Sequence, residues 1–202
     1  WEKNPDTNFL EFKKDPTNPV DQTITYTYNK ADEQQKLDNR ADNSDKTITG
    51  VFVGQTGTEQ GGGAIFNNYL LPILGDINAD FVGNYISSSS SDADGGAIYN
   101  QGIIRNITGD FIGNYASSSS SSKLDAALGG AIYNHRIRED ITKGTIGDIT
   151  GDFIGNYASS TITEAYGGAI YNANGAVIGN ITGDFIGNYV SGSDPLALGG
   201  AI

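Results

Sequence analysis

Apolar residues in this chain come in short bursts, each closed by glycine, asparagine or aspartate. Residues 167–198 show the pattern most regularly. Gly167-Gly168-Ala169-Ile170-Tyr171-Asn172 is one run, and Ala176-Val177-Ile178-Gly179 with Ile181-Thr182 is a second. Asp184-Phe185-Ile186-Gly187-Asn188-Tyr189-Val190 is the third, followed by a polar linker at 191–198. The runs are β-branched or aromatic and too short for helices, which predicts strands joined by tight turns. No segment sustains the three-and-four apolar spacing of an amphipathic helix.

The same phrases recur. Gly-Gly-Ala-Ile-(Phe/Tyr)-Asn starts at Gly62, Gly95, Gly129 and Gly167, and a further copy opens at Gly199. Asp-Phe-(Ile/Val)-Gly-Asn-Tyr starts at Asp80, Asp110, Asp152 and Asp184. Repetition at a period of 32 to 38 residues marks a stacked array. Three strands and three turns per repeat describe one triangular rung of a parallel β-helix, with rungs about 4.8 Å apart and like residues in register. The fold class is therefore an all-β solenoid with one rung per repeat. The linkers at 87–94, 117–128, 159–166 and 191–198 leave from one phase of the repeat and are rich in serine. They read as flexible surface loops with nothing to bury.

Stacking gives single positions a role. Asn84, Asn114, Asn156 and Asn188 form one column, and Asn67, Asn100, Asn134 and Asn172 another. Side-chain amides carry donors and an acceptor, so each column is expected to hydrogen-bond along the stack, and Asn tolerates the left-handed turn conformation. The paired glycines predict a sharp corner or a close backbone approach. Tyr85, Tyr115, Tyr157 and Tyr189 form an aromatic column, as do Phe66, Tyr99, Tyr133 and Tyr171. Pointing inward they are core; pointing outward they form a stripe able to bind sugar or protein. A corner between Phe111 and Tyr115 leaves strand alternation silent on which. Asp80, Asp110, Asp152 and Asp184 stack four carboxylates, each neighbouring pair repelling by roughly 1 kcal/mol in water-like dielectric. They read either as turn residues accepting backbone N–H bonds or as a metal-binding cation ladder; the Gly-Gly-x-Gly-x-Asp calcium repeat is missing.

Composition narrows the function classes. The chain has 202 residues and a formal charge of −12, which disfavours nucleic acid as a partner. Its longest apolar stretches are far too short to insert in a bilayer. Cysteine is absent, excluding disulfides, cysteine-based zinc sites and thiol nucleophiles. Methionine is absent even at position 1, so the chain reads as a mature or excised piece. No cofactor is called for. Residues 1–60 carry 18 of the 36 charged side chains and only three of the 28 glycines, so residues 1–46 are read as a charged capping segment. It holds a strand at 23–28 and a loop at 30–46. The repeat body spans 47–202, beginning with a degenerate rung at 47–61 in which Ile48-Thr49-Gly50-Val51-Phe52-Val53-Gly54-Gln55 mimics residues 107–114.

Alternation of Gly-Gly-Ala-Ile with Phe-x-x-Asn resembles the passenger repeats of type V autotransporters, most closely the polymorphic outer-membrane proteins of chlamydiae. The matching pairs are residues 62–65 with 81–84, 95–98 with 111–114, 129–132 with 153–156, and 167–170 with 185–188. The resemblance implies a right-handed parallel β-helix of bacterial origin, exported and displayed outside the cell, commonly for adhesion. It also implies an outer-membrane anchor, a C-terminal barrel outside residues 1–202. The Asn-Ile-Thr triplets at Asn106 and Asn180 read as Asp-to-Asn drift within the repeat.

Catalysis requires unlike groups to converge, whereas repeats supply like ones. The sole histidine, His135, opens an irregular insertion with Arg136 and Arg138, the most asymmetric chemistry in the body. It reads as a solvated loop or as a binding or catalytic surface. Three functions remain in view: an adhesin or stalk that binds a host or bacterial surface protein or glycan, a structural subunit that self-associates end to end, and a carbohydrate-active β-helix enzyme.

Overall fold

The computed structural model describes residues 2–3, 10–11, 23–27, 37–39, 47–57, 61–67, 73–122, 125–136, 144–173, 175–193 and 197–202, with side chains from residue 47 onward. Every described element is a strand, and apart from the antiparallel pair Glu2–Lys3 with Leu10–Glu11 every pairing is parallel. The partner of each residue lies one repeat away. Ile98 pairs with Ile65 on one side and Ile132 on the other, and Tyr115 lies between Tyr85 and Tyr157. One repeat is therefore one coil of a parallel β-helix, and like residues stack in register. The inserted residues between Phe111 and Phe153 do not disturb the pairing of those two residues.

Three strands per coil are expected from the apolar runs, and the structure divides them further. A full coil passes through Ala93–Asp94, Ile98–Asn100, Ile103–Ile104, Ile107–Thr108, Phe111–Ile112 and Tyr115–Ser118. The run from Asp110 to Ala116 is split because Gly113 takes a φ of 61° between Ile112 and Asn114. The left-handed residue at this corner is the glycine, a role the sequence also offered to the asparagine.

The core follows from this alternation. Ala97, Ile98, Ile104, Ile107 and Phe111 point inward, and each stacks on its counterparts above and below in one apolar cluster. Phe52, Phe81, Phe111, Phe153 and Phe185 form an axial pile with ring centroids 4.8 to 5.0 Å apart. Full burial of each such side chain contributes about 1.5–3 kcal/mol, so stability accrues coil by coil.

The serine-rich linkers correct an expectation. They begin as strands, since Tyr85–Ser88, Tyr115–Ser118 and Tyr157–Ser160 pair in register. They end on a second strand column through Ala93, Ala127 and Ala165. These alanines bury against Ile86, Ala116 and Ala158 in a second small core. Ser88, Ser118, Ser120 and Ser160 are buried, with Ser88 Oγ accepting the Ser91 amide N–H and Ser160 Oγ the Thr163 N–H at 3.0 Å each. Small side chains allow the chain to fold back closely here, and the hydroxyls satisfy the turn. Hydropathy alone hides this, because alanine and serine carry little apolar signal.

The array also reaches into the charged segment. Thr23–Thr27 pairs parallel with Thr47–Val53, and Leu37–Asn39 pairs with Ile65–Asn67 in register, placing Asn39 beside Asn67. Leu37–Asn39 lies within the stretch read as a loop at 30–46, and it adds a strand to the Gly-Gly-Ala-Ile-x-Asn column.

Candidate functional site

Two asparagine ladders run the length of the body. In the first, Nδ2 of Asn67, Asn100 and Asn134 donates to Oδ1 of the next asparagine, ending on Asn172, at 2.8 Å each. In the second, Nδ2 of Asn84, Asn114 and Asn156 donates to the next Oδ1, ending on Asn188, at 2.9 to 3.0 Å. Each second-ladder Oδ1 also accepts the backbone N–H of the coil below, while its Nδ2 returns a bond to the phenylalanine carbonyl below. Asn84, Asn114 and Asn156 are fully buried, so every polar group there is matched within the fold. Gln55 takes the asparagine's place in the degenerate coil: its backbone N–H reaches Asn84 Oδ1 and its Nε2 caps the Val53 carbonyl. These ladders are structural.

The aspartate column behaves as turn chemistry. Oδ1 of Asp80, Asp110 and Asp152 accepts the backbone N–H of the next aspartate, ending on Asp184, at 2.8 to 2.9 Å. Among the described residues no group of three or more acidic, histidine or cysteine side chains is arranged to hold a metal ion. A neighbouring column alternates Asp76, Asn106, Asp148 and Asn180. Asn106 Nδ2 donates to Asp76 Oδ1 at 2.9 Å, and Asn180 donates from its backbone N–H and Nδ2 to Asp148 Oδ1. Asparagine in every second coil separates the carboxylates and supplies donors between them, a physical reason for the Asn-Ile-Thr triplets.

The two tyrosine columns divide. Tyr99 and Tyr133 are buried, stacked 4.9 Å apart and covered by Leu128, Ala126 and Tyr166. Burial, followed by the charge of Asp94, holds both phenols well above the usual tyrosine range. Tyr85, Tyr115 and Tyr157 are half-buried and Tyr189 is exposed, on the outward side of a strand whose inward residues are Ile86, Ala116 and Ala158. Their rings lie within 7° of parallel at 4.9 to 5.1 Å. Each ring face within the column is thereby taken by its neighbour. The stripe shows ring edges and hydroxyls, which suits hydrogen bonding and edge contact and leaves no open platform for a sugar ring between coils.

Around the Gly-Asn corner two further columns face out, Val82–Ile112–Ile154–Ile186 and then the aspartates. One long side of the solenoid is therefore ribbed with acid, aliphatic and aromatic lines, Ile112 being 37 % and Ile186 52 % exposed.

His135 and Arg136 lie at the mouth of the insertion. The imidazole stacks on Tyr133 at 5.2 Å, and burial lowers its pKa below the usual histidine value. Arg136 lies beside Gly175. Arg138 and the rest of the insertion at 137–143 fall outside the described residues. Among the described residues, each predicted group keeps its own corner of the coil and no unlike set of them is brought together. The structure also reveals Asp94, a buried carboxyl that column reading passed over. The signal was present: the residue ahead of the Gly-Gly pair is leucine at 128 and 198 and tyrosine at 166, yet aspartate at 94.

These features define a parallel β-helix repeat protein whose outer faces are lined by columns of like side chains. No protein-family model, no curated protein and no solved structure matches the chain.

Proposed function

We propose that this chain is the displayed part of an extracellular bacterial protein, an autotransporter-like passenger that serves as an adhesin or stalk and performs no catalysis. The observation that carries the reading is the unbroken register of like side chains along the outer faces. Such faces supply length, stiffness and many equivalent weak contacts, which together give avidity. An enzyme instead needs unlike groups held around one reacting centre. The alternation of Gly-Gly-Ala-Ile with Phe-x-x-Asn supports the passenger reading, as does a chain without cysteine, which crosses an envelope without forming disulfides on the way. In this reading the anchor is a barrel encoded in another part of the gene product. The partner is a surface protein or glycan that meets the ribbed acid, aliphatic and aromatic side.

The test pairs binding with turnover. Purified chain is applied to bacterial and host cells and to immobilised glycans, while the same polysaccharides are assayed for new reducing or unsaturated ends. Saturable binding without new ends is expected, weakened by Ile112→Lys and Ile154→Lys on the ribbed side. New chain ends that disappear in Arg136→Ala would replace this reading with a carbohydrate-active one.

A further inference from the structure

One position breaks the apolar rule of its column. Asp94 pairs in register with Leu128, whose column continues through Tyr166 to Leu198. Asp94 is only 6 % exposed, and its Oδ1 is enclosed with no hydrogen-bond partner. An ionised carboxylate with one oxygen so enclosed is costly, because no donor replaces the hydration that oxygen loses. Its strand leads directly into the Gly95 corner, where φ is 66° and the backbone has little room to adjust.

The titratable groups around it make ionisation harder. Asp92, on the same connection, adds a like charge. The phenols of Tyr99 and Tyr133, in the neighbouring column, are themselves pushed up by Asp94 and stay neutral, so they add no charge of their own. Tyr99 accepts a bond from Gln101 Nε2, which engages that amide elsewhere. Asp125, on the next coil's connection, acts on Asp92 in the same sense, while Asp92 Oδ1 is held by the Ala126 N–H at 2.6 Å.

We infer that Asp94 is a proton-operated latch between neighbouring coils. Protonated, it packs as the leucine above it does and keeps residues 92–94 seated against 126–128. Ionised, it leaves the interior, releasing the Ala93–Asp94 strand and uncovering Tyr99 and Tyr133.

Burial first, and the charge of Asp92 second, push its pKa from 3.8 up to about 7. The closed form thus binds the proton more tightly than the open form. Closure is fully favoured below pH 3.8, weakens as pH rises towards about 7, and is level above that. The opening constant rises by about tenfold per pH unit within this window.

Native-state hydrogen exchange on the whole chain, corrected for intrinsic exchange at each pH, reads the latch directly. Peptides covering 92–99 and 126–133 are expected to lose protection about tenfold per pH unit between roughly pH 4 and 7, then level off. Asp94→Asn removes that slope. Asp94→Leu, which installs the residue of the next coil, removes it and raises protection, so the test survives any folding defect in the amide variant. His135, stacked on Tyr133 with a lowered pKa, acts in the opposite sense by loosening its surroundings under acid, and both variants retain it. Wild-type protection that stays flat across the window would overturn the latch, as would an undiminished slope in both variants.

Discussion

Asn114 shows how much one side chain carries in this architecture. Its Oδ1 accepts two bonds from Asn84, and its Nδ2 donates to Asn156 above and to the Phe81 carbonyl below, all without exposure to water. Replacing it with alanine strands donors on one coil and an acceptor on another. Asn114→Ala is therefore expected to cost about 3 kcal/mol in urea unfolding, with a smaller loss for Asn188→Ala at the half-buried end of the ladder. The ladders were legible in the sequence because one residue recurs at one phase, and repetition announces a shared task. Asp94 was not, since a single departure among otherwise apolar counterparts resembles ordinary drift until its burial is known. The tyrosines lay between these cases: their stacking followed from register, whereas their facing depended on a corner at Gly113 that pattern alone does not place.

At the level of the element, two kinds of glycine are needed for different reasons. A Cβ on Gly130 would lie 2.1 Å from the Gly168 carbonyl oxygen and 2.5 Å from the Tyr157 backbone, with rigid chain on both sides. A Cβ on Gly113 would meet nothing within 4 Å, and only its φ of 61° resists substitution. Gly113→Ala is thus expected to cost about 1–2 kcal/mol. Gly130→Ala forces adjacent coils apart, costing roughly 3 kcal/mol or more, and thermal melting of the pair ranks them in that order. The apolar runs located the strand-rich regions and their stacking. They missed the division of the third run at Gly113 and the strand returning through Ala93, Ala127 and Ala165. Short strands lose their boundaries in hydropathy, and an alanine column becomes core only when a neighbouring alanine lets the backbones approach.

For the whole molecule, net charge and register pull against each other. The chain carries −12, and its aspartates line up along one side by construction of the repeat. Self-repulsion of this kind is shortened from about 30 Å to about 3 Å in range as salt rises from 0.01 M to 1 M. The melting temperature is therefore expected to rise with sodium chloride over that interval, and calorimetry at several salt levels checks it. Replacing Asp110 and Asp152 together with asparagine should reduce the salt dependence. The alternation of Asp76, Asn106, Asp148 and Asn180 shows the same remedy already in use one column away.

The asparagine ladders also give the molecule a direction. In both, each Nδ2 hands its bond to the following coil, and each carbonyl oxygen faces back towards the preceding one. The amide dipoles therefore add along the axis instead of cancelling, as peptide dipoles add along an α-helix and largely cancel across a sheet. The two ladders thus give this rod an axial dipole contribution, positive towards its later coils and negative towards its earlier ones. In an applied field, or beside a charged surface, that contribution favours one way up.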